Sequence, residues 1–183
     1  MKVTKSKIIG TLGIIVISIL IITWFFPFST VSVYKNIHYT SNSDDVKHHI
    51  QKLDDFQVLS DASSGGATTL VLRNISSVYE QDWLVEDKTY KMNKDKLAKM
   101  LFDMQKSRNQ LLSLTTQEEY TSYQRQSLLT LIENVMSMEE LLESMMDASW
   151  DNRAVQKRQF RNLSDAYTSS LMLFNTFYDR TQR

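Results

Sequence analysis

The residues best suited by type to hold a metal ion are His48 and His49 with Asp44 and Asp45. Asp44 with His48, and Asp45 with His49, stand one helical turn apart, the spacing at which two side chains reach one ion. Adjacent helical positions point in different directions, so no single site collects all four. Solvated polar residues at the start of a helix account for them better, and no metal site is expected. Ser32 and Lys35 have the Ser-x-x-Lys spacing of an acylating serine and its lysine base, but the S-D-N and K-T-G segments of that chemistry are missing. No serine lies in a G-x-S-x-G context, and the histidines are His38, His48 and His49. Glu118-Glu119 and Glu139-Glu140 are paired carboxylates of the kind used in acid–base catalysis. They lie in an acidic stretch, where solvation of a helix face is the ordinary explanation. The expectation is a non-enzymatic chain with no cofactor and no small-molecule substrate.

Composition narrows the classes further. Cysteine is absent, which excludes disulfide frameworks, thiolate metal sites and cysteine nucleophiles together. The formal charge is zero, yet residues 1–28 carry Lys2, Lys5 and Lys7 and no acid, leaving 18 basic and 21 acidic side chains for the rest. A slightly acidic domain is a poor partner for nucleic acid, whose phosphates require a strongly basic face. Beyond Pro27 the chain has no proline, and its glycines there are Gly65 and Gly66. Folds rich in tight turns or phosphate-cradling loops are hard to build from that supply, whereas long helices are easy.

Ile8 to Phe26 is a run of 19 residues without a charge. As a helix it matches the roughly 30 Å hydrocarbon core of a bilayer. Trp24, Phe25, Phe26 and Phe28 cluster at its far end, where aromatic rings favour the headgroup level, and Pro27 ends the helix. A cleaved signal peptide shares the lysine-bearing start. Against it, the run exceeds the usual apolar length of about 7–15 residues, and Ser29-Thr30-Val31-Ser32 is an imperfect cleavage site. The run has no ionisable residue and no pair of small residues four apart, so it reads as a tether. Three lysines before the span against Lys35 and Lys47 after it place the N-terminus in the cytoplasm and the polar domain outside. The seven residues preceding the span are too few for a cytoplasmic output domain.

Residues 29–92 read as a small mixed α/β region. Ser43, Asp44 and Asp45 cap a short helix with Val46, Ile50 and Leu53 at helical spacing and Phe56 at its end. Residues 57–59 and 68–72 look like strands flanking a loop at Gly65-Gly66, and residues 83–85 and 89–92 like a second hairpin across Glu86-Asp87-Lys88. From residue 93 to 183 neither glycine nor proline occurs, and apolar residues recur at helical spacing. Asn93 can cap a first helix carrying Leu97, Met100, Leu101, Met104 and Leu111. Thr115 or Thr116, each three residues before a glutamate, forms a capping box for a second. A turn at residues 147–152 then precedes a third helix with Phe160, Leu163, Tyr167, Leu171, Phe174 and Phe177 or Tyr178. One uninterrupted helix of about 60 residues is the alternative. Net charges of +3 for residues 93–112, −6 for 117–149 and +3 for 150–183 favour an acidic helix folded between two basic ones.

The second helix carries Leu128, Leu131, Val135, Met138, Leu142 and Met145 three and four apart, as in a coiled-coil seam. Leu129, Ile132, Met136, Leu141 and Met146 widen that seam to 11 apolar residues of 19, more than a single neighbouring helix covers. The six seam residues are the expected partner-binding surface, because methionine-rich faces adapt to partner helices, although core packing accounts for the same spacing.

The fold expected is therefore mainly α: a tail over 1–7, a transmembrane helix over 8–28, a mixed α/β region over 29–92, and a helical hairpin or three-helix bundle over 93–183. The function expected is a single-pass membrane protein that scaffolds or regulates a membrane assembly, binding other subunits or its own copies through helices. An extracytoplasmic sensor or ligand-binding domain signalling through a partner is the alternative.

Overall fold

The computed structural model describes residues 5–61, 66–117 and 119–182. Their order is α1 (Lys5–Phe25), β1 (Ile37–Thr40), α2 (Ser43–Asp61), α3 (Ala67–Ser76), α4 (Asp82–Val85), β2 (Thr89–Met92), α5 (Lys94–Gln117), α6 (Ser122–Asp147) and α7 (Arg153–Gln182). The protein is mainly helical, as its scarcity of turn formers requires.

The long C-terminal helices carry the scaffold. In α5 the buried positions Leu97, Met100, Met104, Ser107, Leu111 and Leu114 alternate three and four apart, forming one stripe. Asn93 starts the helix as expected, its Oδ1 accepting from the Lys96 amide at 3.0 Å. α6 packs against both α5 and α7, and α7 against α2 as well. The acidic helix thus lies between the two basic ones, and Arg108 of α5 donates to the Glu139 carboxylate of α6 at 2.7 Å. The turn at 147–152 forms, so α6 and α7 are two helices. Asn152 Oδ1 caps α7, accepting from the amides of Ala154 and Val155 at 3.0 Å each.

The start of α6 differs from expectation. Thr115 and Thr116 cap nothing; their hydroxyls donate back to the carbonyls of Leu112 and Ser113, and α5 runs on to Gln117. The capping box is instead Thr121 with Gln124, each side chain bonding the other's backbone amide.

The mixed region contains less strand than its composition suggests. Residues 57–59 continue α2, and residues 68–72 lie in α3, where Thr68, Thr69, Leu72 and Ile75 are buried at helical rather than alternate spacing. Residues 83–85 form the single turn α4, which sends adjacent Trp83 and Leu84 into the core, as a strand cannot do on one face. The expected hairpin across residues 86–88 is therefore absent. Strand 89–92 is present, but its partner is β1: the two run antiparallel, with Ile37 opposite Met92 and Thr40 opposite Thr89. Ile37 and Tyr39 face inward while His38 and Thr40 face out.

One hydrophobic cluster extends from Phe28 and Ile37 through Leu72 and Trp83 to Tyr178, so the mixed region and the bundle share a core. Its centre is aromatic. Tyr79 meets Tyr167 and Phe174 edge-on at 5.8 and 5.3 Å, and Phe56 meets Phe174 and Tyr178 at 6.3 and 6.2 Å.

Helix α1 stands apart from that core. Among the described residues no helix is long and apolar enough to cross a membrane, so the fold does not by itself establish the expected transmembrane helix. The part of α1 with described side chains, residues 9–25, is 17 residues long, about 26 Å at the helical rise.

Candidate functional site

Of the residues singled out for their chemistry, the fold buries His49 and Glu139 and leaves His48, Asp44 and Lys35 exposed. His49 is buried, its Nε2 2.8 Å from the Tyr79 carbonyl and its Nδ1 2.9 Å from the Thr168 hydroxyl. Burial holds its pKa below the ordinary imidazole value, so the ring is a neutral tie between α2, the segment before α4, and α7. His48, Asp44 and Lys47 face solvent, and among the described residues no three potential ligands gather at one point. Ser32 donates to the Tyr34 carbonyl at 3.2 Å and Lys35 is exposed. Glu139 is buried against Arg108. Desolvation raises its carboxyl pKa and the guanidinium opposes that rise.

Sequence reasoning did not find the buried and half-buried polar contacts beside the core. Tyr79 and Ser170 bond at 2.7 Å, Thr68 and Tyr120 at 2.6 Å, and the Trp83 indole donates to Gln81 at 2.9 Å. Burial drives the Tyr79 and Tyr167 phenols far above their usual range. They are hydrogen-bonding core residues with no opening to solvent. Nothing in their spacing distinguishes them from an apolar stripe.

Leu128, Leu131, Val135, Met138, Leu142 and Met145 are interior, each at most 1% exposed. Two helices from the same chain, α5 on one side and α7 on the other, supply the cover that one neighbour cannot. A partner does not reach these six side chains in the folded bundle. The large hydrophobic residues left exposed on α6 are Tyr123, Leu129 and Met136.

The feature that no single motif announces is the joint between α1 and the domain. The last carbonyls of a helix have no intrahelical donor. In α1 they are met by Arg153, the first residue of α7: its guanidinium donates to the carbonyls of Thr23 and Trp24 and, at 3.3 Å, to Asn36 before β1. A cation is also favoured there by the helix dipole. Arg153 lies 5.8 Å from the Trp24 ring centre, and Phe26 meets Trp150 edge-on at 5.8 Å. The Thr23 hydroxyl accepts from the Val33 amide at 3.1 Å. Two segments, Val33 and residues 150–153, thus clamp the end of α1. A signal existed in sequence, since Arg153 follows directly on the predicted turn, but its target 129 residues earlier was invisible.

Beside this joint is a cavity of about 710 Å³ lined by Trp24, Tyr34, His38, Arg153 and Lys157 with their neighbours Thr23, Asn36 and Ala154. It is aromatic and cationic, with no carboxylate among the described residues that line it. A second cleft, about 600 Å³, lies between α2 and α7. Val58, Leu59 and Met172 form its apolar part, and Asp54, Asp55 and Asp179 outnumber Lys52 around it.

No family model matches this chain, and no curated protein or solved structure is significantly similar to it.

Proposed function

We propose that this chain is a non-enzymatic, single-pass membrane protein that holds a helical interaction domain in a fixed pose at the outer face of a bilayer. The observation that carries the reading is the bareness of α1. Ile9, Leu12, Ile14, Ile15, Val16, Ile17, Leu20 and Ile21 are each at least 50% exposed, around the whole helix. Water is a poor environment for such a surface, at roughly 25 cal/mol per Å², whereas lipid covers every face alike. The 19-residue uncharged run in the sequence supports a span, and the lysine bias supports a cytoplasmic N-terminus.

The surface best formed for a partner protein is the α2–α7 cleft. Its apolar floor and acidic edge suit an amphipathic segment bearing lysine or arginine beside its apolar side chains. The scaffold reading is tested on native membranes. The chain should resist carbonate extraction, yield to detergent, and lose residues 30–183 to protease applied from the extracytoplasmic side. Release by carbonate, or protection of the domain, would overturn the anchor or its orientation. Met172→Glu should abolish recovery of a cationic partner in mild detergent while leaving helicity unchanged.

A further inference from the structure

We infer that the cavity at the α1 joint is a binding site for the headgroup of an anionic glycerophospholipid in the outer-facing leaflet, an inference that rests on the anchor reading. Position argues first. The cavity wall includes Thr23 and Trp24 of the last turn of α1. If α1 spans, that turn lies where hydrocarbon gives way to headgroups, and the cavity mouth lies at the same depth. Trp24, Tyr34 and Trp150 are each more than 60% exposed around the joint, the residue types that settle at this level.

Chemistry argues second. Arg153 and Lys157 lie one helical turn apart on α7 and line the cavity with His38, with no acid among the described lining residues. Arg153 is fixed by its three carbonyl acceptors, so its cationic plane is preorganised at the wall. Lys157 is exposed and makes no ion pair among the described residues. A phosphodiester between a guanidinium and an ammonium, with its glycerol against Trp24 and Tyr34, satisfies both cations and covers both rings. A volume of about 710 Å³ holds a headgroup, not merely an ion. A free phosphate would leave the aromatic wall bare, which favours the lipid as occupant.

The experiment uses the full chain in nanodiscs with Trp150→Phe, leaving Trp24 as the exposed tryptophan while Trp83 stays buried in the core. Trp24 emission is followed as phosphatidylglycerol replaces phosphatidylcholine. The expected result is a saturating spectral change, with Lys157→Ala raising the phosphatidylglycerol requirement about fivefold and Lys157→Arg restoring it. A signal indifferent to phosphatidylglycerol, or unaffected by Lys157→Ala, overturns the lipid site. So does the same change produced by inorganic phosphate in phosphatidylcholine alone. Brominated acyl chains separate this failure from the other: a chain whose Trp24 is quenched is inserted, whatever the headgroup result, while one that is unquenched has lost the anchor reading too.

Discussion

Helices α1 and α6 are both rich in large aliphatic side chains, and they meet opposite fates. In α6 the seam from Leu128 to Met145 is sealed by α5 and α7, while its exposed side carries Glu133, Glu140 and Glu143. In α1 the aliphatic residues surround the helix, and it touches the domain at its C-terminal end. Apolar content alone therefore does not say what covers a helix; the distribution around its axis does. A striped helix finds cover within its own chain, and an unstriped one needs a surrounding solvent of the same kind.

The sharpest way to break this contrast is to damage the seal of α6. Leu142→Ala should cost about 2–5 kcal/mol, because the bundle closes only partly over the lost methyl groups. Ile17→Ala in α1 should leave the thermal midpoint of the domain unchanged, and a matching fall for both variants would show that α1 is packed like the core. Next in size is a charge in α1. Ile17→Arg should weaken membrane partition by about 3 kcal/mol, read from the membrane-bound fraction, whereas a polar change at exposed Leu129 should leave partition alone.

A pH titration separates the two regions again. The folded pKa of His49 is lowered by burial, while the unfolded chain takes up that proton near pH 6.5. Below pH 6.5 the unfolded state therefore binds more protons until the folded pKa is reached, and stability falls as pH falls through that window. The slope should be at most about 1.4 kcal/mol per pH unit for one proton. Urea denaturation between pH 7.5 and 5 should show it, His49→Gln should flatten it, and membrane partition of the wild type should stay constant. The smallest effect concerns the start of α6. Thr121→Ala removes one side of the capping box and should cost about 1 kcal/mol, whereas Thr116→Ala, at one of the two cap positions expected from the sequence, should cost less. Equal losses would restore the expected boundary.

The helices of residues 93–182 were legible because period and missing breakers act within a few residues, although the cap of α6 lay at Thr121 and not at Thr115 or Thr116. So was the apolar run of α1. What misled was the short range of that same reasoning. Thr68-Thr69-Leu70-Val71-Leu72 has strand-forming side chains, yet Thr68, Leu72 and Ile75 can all be buried at once on α3, and packing outweighs β-propensity. Strand 89–92 was recognisable, but its partner lay about 50 residues away at Ile37–Thr40, and no local pattern encodes that pairing.

Two decisions belonged to the tertiary structure. One was that the broad stripe of α6 is filled from within the chain, which turns six candidate binding residues into core and moves the search for a partner to the α2–α7 cleft. The other was the clamp of Arg153 on the carbonyls of Thr23 and Trp24. Residue types and periodicity state which faces must leave water and that a helix end needs a donor; they do not state which of many distant groups arrives there, because that depends on the simultaneous packing of the whole chain.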